Sequence, residues 1–170
     1  MFDFSKIRTI DDFPTPGIKF YDITTLLKDA AEFQRAMDDL MAVAKEVRPD
    51  VVVALETRGF FFGPTLALQL GVPFVPIRKK GKLPAATYSA EYALEYGTDK
   101  IEIHQDAIGE NQRILLFDDV LATGGTMRAA VQLVNNFKPA AIDTLFLLEL
   151  SALKGRDKLQ DVNVHCLVKL

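Results

Sequence analysis

Short apolar runs and amphipathic stretches alternate along the chain. Runs rich in valine, isoleucine and leucine are typical of strands buried in a parallel sheet, and they occupy residues 51–55, 72–77, 114–117 and 142–150. Apolar residues at helical spacing predict helices over residues 29–47 and 60–70, and another after residue 126. Strands that alternate with helices predict an α/β fold: an open, mostly parallel twisted sheet with helices on both faces.

The N-terminal segments have a different pattern. Residues 1–12 are predicted to form a short helical arm, and the apolar contacts of this arm are Phe2, Phe4 and Ile7. Two prolines and a glycine in residues 13–24 predict an ordered loop instead of a strand or a helix. A plain connector is the alternative reading of that loop.

Residues 83–99 show neither the helical nor the strand periodicity of apolar residues. Residues 83–99 are therefore expected to form a mobile flap instead of part of the core. Alternation over residues 100–104 predicts a strand that bounds this flap, and a final strand is expected at residues 162–168. The chain as a whole, residues 1–170, is predicted to be one domain.

The stretch from Arg113 to Thr126 carries the strongest chemical pattern. An apolar strand leads to two adjacent carboxylates, Asp118 and Asp119, and then to a small-residue turn and a helix. Open α/β sheets form phosphate sites at such points, because glycines let backbone N–H groups approach an anion and a helix N-terminus adds partial positive charge. The residues of the turn are Ala122, Thr123, Gly124, Gly125 and Thr126.

Two acids beside a phosphate site would repel a ligand that offers them nothing to bind. Vicinal sugar hydroxyls supply donors for the carboxylates, with or without a divalent cation, so the sequence predicts a ribose 5-phosphate unit as the ligand. An ordinary strand-to-helix connection with solvated acids is the alternative, since glycine turns alone are common. The chain has neither G-x-x-x-x-G-K-S/T nor G-x-G-x-x-G, so these two phosphate motifs are excluded.

Two further groups of cations follow strand ends at the same edge of the predicted sheet. Arg58 stands beside a glycine at a helix start and could form a second anion site. The alternative is that Arg58 is an ordinary surface arginine beside a helix cap. Four cations in five residues follow the strand at 72–77, where the alternative is a solvated basic patch. These cations are Arg78, Lys79, Lys80 and Lys82.

Composition narrows the class of protein. Hydrophobic residues make up 49% and charged residues 25% of the chain, as in ordinary globular proteins. A net charge of −3 argues against a nucleic-acid surface. The single cysteine, Cys166, excludes an internal disulfide. The N-terminus lacks a signal-peptide pattern, and prolines and glycines interrupt the apolar stretch at residues 60–77, so we expect a cytoplasmic protein without a membrane span.

The central motif resembles the phosphoribosyl-diphosphate-binding motif of the type I phosphoribosyltransferases. Its acid-acid-x-x-Ala-Thr-Gly-Gly-Thr form is most similar to that of the adenine phosphoribosyltransferases. Other motifs of this family are resembled, in matching order, by FPTPGIKFYDIT at residues 13–24, ETRGFFFG at 56–63 and YALEYG at 92–97. The likeness extends from about residue 13 to residue 159. Tyr21, Thr57 and Ala85 depart from the usual pattern.

The resemblance implies roles for named residues. Asp118 and Asp119 would hold the ribose hydroxyls, and Glu95 on the flap would handle a proton at adenine N7. The phosphoribosyl diphosphate would be bound by Arg58, Arg78, Lys79, Lys82, Asp118, Asp119, Ala122, Thr123, Gly124, Gly125 and Thr126. Adenine would be bound by Ile18, Lys19, Phe20, Arg58 and Val120. No protein ligand for metal is implied, because Mg²⁺ prefers phosphate oxygens and water.

The reaction that the resemblance implies is a purine-salvage step. Adenine and 5-phospho-α-D-ribose 1-diphosphate would give AMP and diphosphate, with Mg²⁺ carried by the diphosphate substrate. The family also implies a homodimer, and neither nucleic acid nor a membrane is an expected partner. A phosphoribosyltransferase for a 6-oxopurine (hypoxanthine, guanine or xanthine) would share this chemistry. A non-catalytic regulator that senses phosphoribosyl diphosphate is a third alternative, against which the slightly acidic composition argues.

Overall fold

The computed structural model describes residues 1–93 and 98–170, and these form two compact units, residues 1–39 and 40–170. The single-domain organisation of the chain stays a prediction. No helix within the described ranges is long and apolar enough to cross a membrane.

The first unit contains a two-stranded antiparallel hairpin. β1 (Arg8–Asp11) pairs with β2 (Lys19–Asp22), so the helical arm and the strand-free loop expected here are both wrong in part. Only Phe4–Lys6 form a helical turn, of the 3-10 type. The prediction failed because the pairing is non-local. The chain reverses between the two strands, where Gly17 has a left-handed conformation, and each strand thereby gains a hydrogen-bonding partner.

The apolar contacts and the helices of this region agree better with the sequence. Phe2 and Ile7 are buried, as predicted. α1 (Thr24–Leu27) follows the hairpin. α2 (Ala30–Val47) confirms the long helix expected over residues 29–47.

The second unit is organised around a seven-stranded sheet. Its strands are β3 (Val51–Leu55), β4 (Phe74–Lys79), β5 (Thr87–Ala93), β6 (Thr98–His104), β7 (Arg113–Leu121), β8 (Ala141–Glu149) and β9 (Asn163–Lys169). Their order is β5-β6-β4-β3-β7-β8-β9. β4, β3, β7, β8 and β9 run parallel, whereas β6 and β5 form an antiparallel edge. The open, mostly parallel sheet is therefore confirmed.

Helices cover both faces of this sheet. Successive side chains of a strand point to opposite faces, and the core formed with α4 (Gly125–Val134) contains Leu116. Phe117 therefore faces the other side, where Phe62 packs against it with ring centroids 5.6 Å apart. Phe62 directly precedes α3 (Gly63–Leu70). The two helices thus lie on opposite faces, as the predicted fold requires.

Two predicted regions of the second unit depart most from the structure. The helix expected from residue 60 begins at Gly63, because Pro64 occupies its first turn and Arg58–Phe61 form a separate 3-10 turn. The expected flap contains a regular strand, β5, and the side chains of Tyr88, Ala90 and Tyr92 pack against the core at two-residue spacing. The part of the flap at residues 94–97 lies outside the described residues.

Candidate active site

The carboxyl end of β7 forms the centre of the site. The strand continues through both acids to Leu121, beyond the point where the apolar run ends. Gly124 then adopts a left-handed conformation with φ of 76° and caps α4, which begins at Gly125. A residue with a Cβ would be strained at Gly124, so the glycine permits the turn that brings the loop to the helix N-terminus.

A pocket opens where this turn meets the strand. It has about 300 Å³ of empty space, part of which is open solvent. Its lining residues are Asp118, Val120, Leu121, Ala122, Thr123, Gly124, Gly125, Thr126 and Met127. The structure therefore brings one of the two acids, one predicted base-binding residue and all five turn residues to one cavity.

The second acid lies beneath the surface against a cation. Asp119 is only 1% exposed, and Nε of Arg58 lies 3.1 Å from its Oδ2. Among the described residues, this Oδ2 accepts no hydrogen bond, so the contact is an ion pair without hydrogen-bond alignment. Arg58 reaches the acid because the adjacent Gly59 packs closely on the strand: a Cβ there would lie 3.1 Å from the carbonyl oxygen of Phe117.

The acid pair is electrostatically unfavourable in the absence of a ligand. Burial raises the pKa of Asp118 well above its usual range, and the charge of Asp119 raises it further. Burial also raises the pKa of Asp119, although Arg58 opposes the shift. A ligand that donates hydrogen bonds to the carboxylates would favour their charged forms. The acid pair therefore suits a ligand with hydroxyl donors.

The basic run after β4 is paired with acids. Nε and Nη2 of Arg78 lie 3.1 and 3.2 Å from the two carboxylate oxygens of Glu56, which lowers the pKa of that carboxyl group. Nζ of Lys79 lies 3.0 Å from Oδ2 of Asp99, and the hydrogen bond between them raises the pKa of Lys79. These two cations are therefore ion-paired, and the Lys79 side chain is still 58% exposed to solvent.

The last two cations of the run form a turn with the first two. Lys80 and Lys82 are exposed, and the backbone N–H of Lys82 donates to the carbonyl oxygen of Lys79 at 3.2 Å. The carbonyl of Lys82 in turn accepts a hydrogen bond from Nη1 of Arg78 at 3.3 Å. The run is therefore a compact turn, and the diphosphate role of its side chains remains a prediction.

The predicted base-binding residues divide between the two units. Val120 lines the pocket of the second unit. In the first unit, the carbonyl of Ile18 accepts from the N–H of Phe13 at 3.1 Å, and Phe20 stacks edge-on against Phe13. Lys19 forms a long ion pair with Asp11, 3.8 Å between charged atoms. Adenine binding by these residues stays a prediction.

The proton-handling role of Glu95 also stays a prediction, because Glu95 lies outside the described residues. Within residues 1–93 and 98–170, no three His, Cys, Asp or Glu side chains come together in a way that could hold a metal ion.

Sequence reasoning missed three residues that shape the site. Glu56 and Asp99 form ion pairs with Arg78 and Lys79, two of the cations predicted to bind diphosphate. Gly155 packs against the turn from Ala122 to Thr126. Glu56 could have been found, because it follows a strand at the same sheet edge as the cations. Asp99 and Gly155 could not have been found. The contact of Asp99 with Lys79 depends on how β6 pairs in the sheet, and the contact of Gly155 with Gly124 joins two loops that are distant in the sequence.

Comparisons with known proteins agree with this geometry. Residues 24–169 match the phosphoribosyl transferase domain family. A relative from Picosynechococcus sp., an adenine phosphoribosyltransferase, is 50% identical over 167 residues, 97% of each chain.

Solved structures give the same result. The adenine phosphoribosyltransferase of Thermoanaerobacter pseudethanolicus has 49% identity and a TM-score of 0.92, and the match covers 98% of this chain and 96% of that one. The Saccharomyces cerevisiae enzyme, complexed with D-2,5-dideoxy-2,5-imino-altritol 1,6-bisphosphate and adenine, has 41% identity and a TM-score of 0.88, with coverage of 94% and 93%. This chain belongs to the phosphoribosyltransferase family and, within it, to the adenine phosphoribosyltransferases.

Proposed function

We propose that this chain transfers the phosphoribosyl group of 5-phospho-α-D-ribose 1-diphosphate to adenine, giving AMP and diphosphate in purine salvage. The observation that carries the proposal is the pocket in which Asp118 lies beside the glycine turn at the N-terminus of α4. Relatives of high identity and coverage are adenine phosphoribosyltransferases, and the yeast enzyme binds adenine together with a bisphosphate. A 6-oxopurine enzyme and a regulator are not favoured by these relatives.

The ribose is held at both ends of the motif. The 5-phosphate binds the turn from Ala122 to Thr126, where backbone N–H groups, threonine hydroxyls and the helix N-terminus favour an anion. The 2′ and 3′ hydroxyls donate to Asp118 and Asp119. This fixes the ring, so that the anomeric carbon is presented to the incoming base in one orientation.

Departure of diphosphate leaves positive charge on the sugar, as in glycoside cleavage. The carboxylates of Asp118 and Asp119 lie near this charge and stabilise it, because the buried site screens them less than water would. Hydroxyl donors from the ribose lower the raised pKa values of the pair, so binding of the substrate itself favours the charged state that the reaction uses.

The leaving diphosphate binds the cations at the same sheet edge: Arg58, Arg78, Lys79 and Lys82. Arg78 and Lys79 exchange Glu56 and Asp99 for phosphate oxygens, and their carboxylate partners keep them oriented before the substrate arrives. The diphosphate would carry Mg²⁺, which would supply further neutralisation of the leaving charge beside these cations. The assignment of Ile18, Lys19, Phe20, Arg58 and Val120 to adenine rests on the family resemblance.

Three further assignments belong to the proposal and rest on the family. Glu95 handles the proton at adenine N7, and the flap that carries it closes to exclude water from the sugar cation. The chain works as a homodimer. It acts in the cytoplasm.

The test is release of diphosphate with adenine, hypoxanthine and guanine in parallel. Adenine offers N6–H donors and an N1 acceptor, whereas hypoxanthine offers an O6 acceptor and an N1–H donor, so a site that reads one base leaves buried groups unpaired against the other. We expect adenine to be preferred by at least ~10³-fold in kcat/KM. Comparable efficiency with hypoxanthine would overturn the adenine assignment, and no release with any base would overturn the transferase itself.

A further inference from the structure

The turn from Ala122 to Thr126, called the phosphate turn below, packs against a second loop, which connects β8 and β9. A Cβ on Gly124 would collide with the carbonyl oxygen of Gly155 and lie 3.1 Å from its Cα. A Cβ on Gly155 would collide with the carbonyl oxygen of Ala122 and lie 2.9 Å from the backbone nitrogen of Gly124. Backbone therefore packs directly on backbone at this point, and neither loop can move toward the other.

The residue after Gly155 is fixed to the sheet. Nε and Nη2 of Arg156 donate to the two carboxylate oxygens of Glu149, at 3.0 and 2.6 Å. Nη1 of Arg156 donates to the carbonyl oxygen of Val164 in β9 at 2.8 Å. The guanidinium is thus bonded to the ends of two strands, and its planar fork allows one orientation.

A thiol completes the same network. Sγ of Cys166 donates to Oε2 of Glu149 at 3.1 Å. Hydrogen bonding to Arg156 lowers the pKa of Glu149, so the carboxylate stays charged. Burial raises the pKa of the Cys166 thiol to about 11, and it therefore remains a neutral donor. Every group in the cluster has a hydrogen-bonding partner, which favours a rigid arrangement.

A second ion pair holds the far end of the loop. Nη1 of Arg128, on α4, lies 2.5 and 2.7 Å from the two carboxylate oxygens of Asp161. Leu159, between the two ion pairs, is 1% exposed in the core. The β8–β9 loop is therefore attached to the sheet through Arg156 and to α4 through Asp161.

We propose that Arg156 is a positioning residue for the phosphate turn: it holds Gly155 against Gly124 and so keeps the backbone N–H groups of the turn directed at the 5-phosphate. The inference rests on the proposed function of that turn. A turn with two adjacent glycines has many accessible conformations of its own, and an external support reduces their number. Misplacement of a bound group by about 1 Å can cost about 10²-fold in rate.

The experiment compares two ligands that bind opposite ends of the site. Ribose 5-phosphate requires the phosphate turn, and inorganic diphosphate with Mg²⁺ requires the basic run. Calorimetric titration of Arg156→Met should show ribose 5-phosphate bound about tenfold or more weakly, with diphosphate affinity unchanged. Arg156→Lys, which keeps a charge but loses the fork, should recover part of the loss. Lys138→Met breaks the exposed pair with Glu110 and should change neither affinity.

Two further variants keep the outcomes separate. Gly155→Ala leaves the Arg156 pair in place but pushes on the turn, so it should cause the same selective loss; normal ribose 5-phosphate affinity in this variant would overturn the inference. Equal weakening of both ligands by Arg156→Met would also overturn it, because the arginine would then be only structural. Thr126→Ala tests the turn itself. If Thr126→Ala binds ribose 5-phosphate normally, the proposed function fails. If Thr126→Ala weakens binding of ribose 5-phosphate and the Gly155 and Arg156 variants do not, only the positioning role fails.

Discussion

β7 and β8 are neighbouring parallel strands that each place a buried carboxylate at the same sheet edge, yet the surroundings of the two carboxylates are opposite. At Glu149, both oxygens accept hydrogen bonds from Arg156, and the pKa is lowered. At Asp119, one oxygen accepts no hydrogen bond among the described residues, and the pKa is raised. Both residues are nearly inaccessible to solvent, with 6% and 1% exposure.

The difference separates a structural carboxylate from one that is available to a ligand. Arg156 compensates the charge of Glu149 within the chain, so this end of the sheet is complete without a ligand. Arg58 compensates only part of the charge of Asp118 and Asp119, as their raised pKa values indicate. Incomplete compensation at a buried pair in a pocket is typical of functional sites. The comparison therefore assigns the chemistry to β7 and the support to β8.

The largest expected effect is on turnover. Asp118→Asn and Asp119→Asn keep the side-chain shape but remove a negative charge near the developing sugar cation, so each should lower kcat on the order of 10²-fold or more. Steady-state assays with adenine and phosphoribosyl diphosphate measure this loss. Glu110→Gln, which breaks an exposed ion pair with Lys138, serves as the control and should leave kcat unchanged. Unchanged turnover in both aspartate variants would mean that the reaction does not use the charge of the acids.

The second expected effect concerns the thiol of Cys166, which donates to the Glu149 carboxylate. The thiolate is the reactive form, and a pKa of about 11 leaves Cys166 mostly protonated at about pH 8. The folded protein should therefore react with iodoacetamide about 10²-fold more slowly than the urea-unfolded chain. In the wild-type protein, the rate should rise about tenfold per pH unit and level off only above about pH 11, because it follows the thiolate fraction. Equal rates in the folded and unfolded chains would show that Glu149 and the surrounding burial do not hold the thiol.

The sequence predicted β7 and its turn well because their chemistry is local. Asp118, the glycines and the start of α4 follow one another without a gap, so their spacing alone brought them together. The roles of Arg156 and Gly155 could not be predicted this way, since they depend on which strands are neighbours in the sheet. Non-local pairing also explains why β1 was not predicted. Arg8–Asp11 pair with a second strand, and no pattern within those four residues indicates this.

The strand in the expected flap was missed for a related reason. Tyr88, Ala90 and Tyr92 do repeat every two residues, but alanine and tyrosine are a weak apolar signal, and pairing with β6 supplies the rest. The buried Glu102 in β6 breaks the expected alternation, because the N–H of Gly81 donates to its carboxylate at 2.9 Å. A hydrogen bond from a distant turn thus permits burial that composition argues against.

Thermal unfolding of Asp118→Asn and Glu149→Gln at several pH values tests the contrast most directly. A raised pKa, as at Asp118, gives stability that is present at low pH and lost as the pH rises through the folded value, so the asparagine variant should melt above the wild-type protein at about pH 8, with a smaller difference at about pH 4. A lowered pKa, as at Glu149, gives stability that is present above the ordinary value and lost as the pH falls through the folded one. Glu149→Gln should therefore melt below the wild-type protein at about pH 8, with a smaller difference in acid. Two variants that are destabilised equally at about pH 8 would contradict the account.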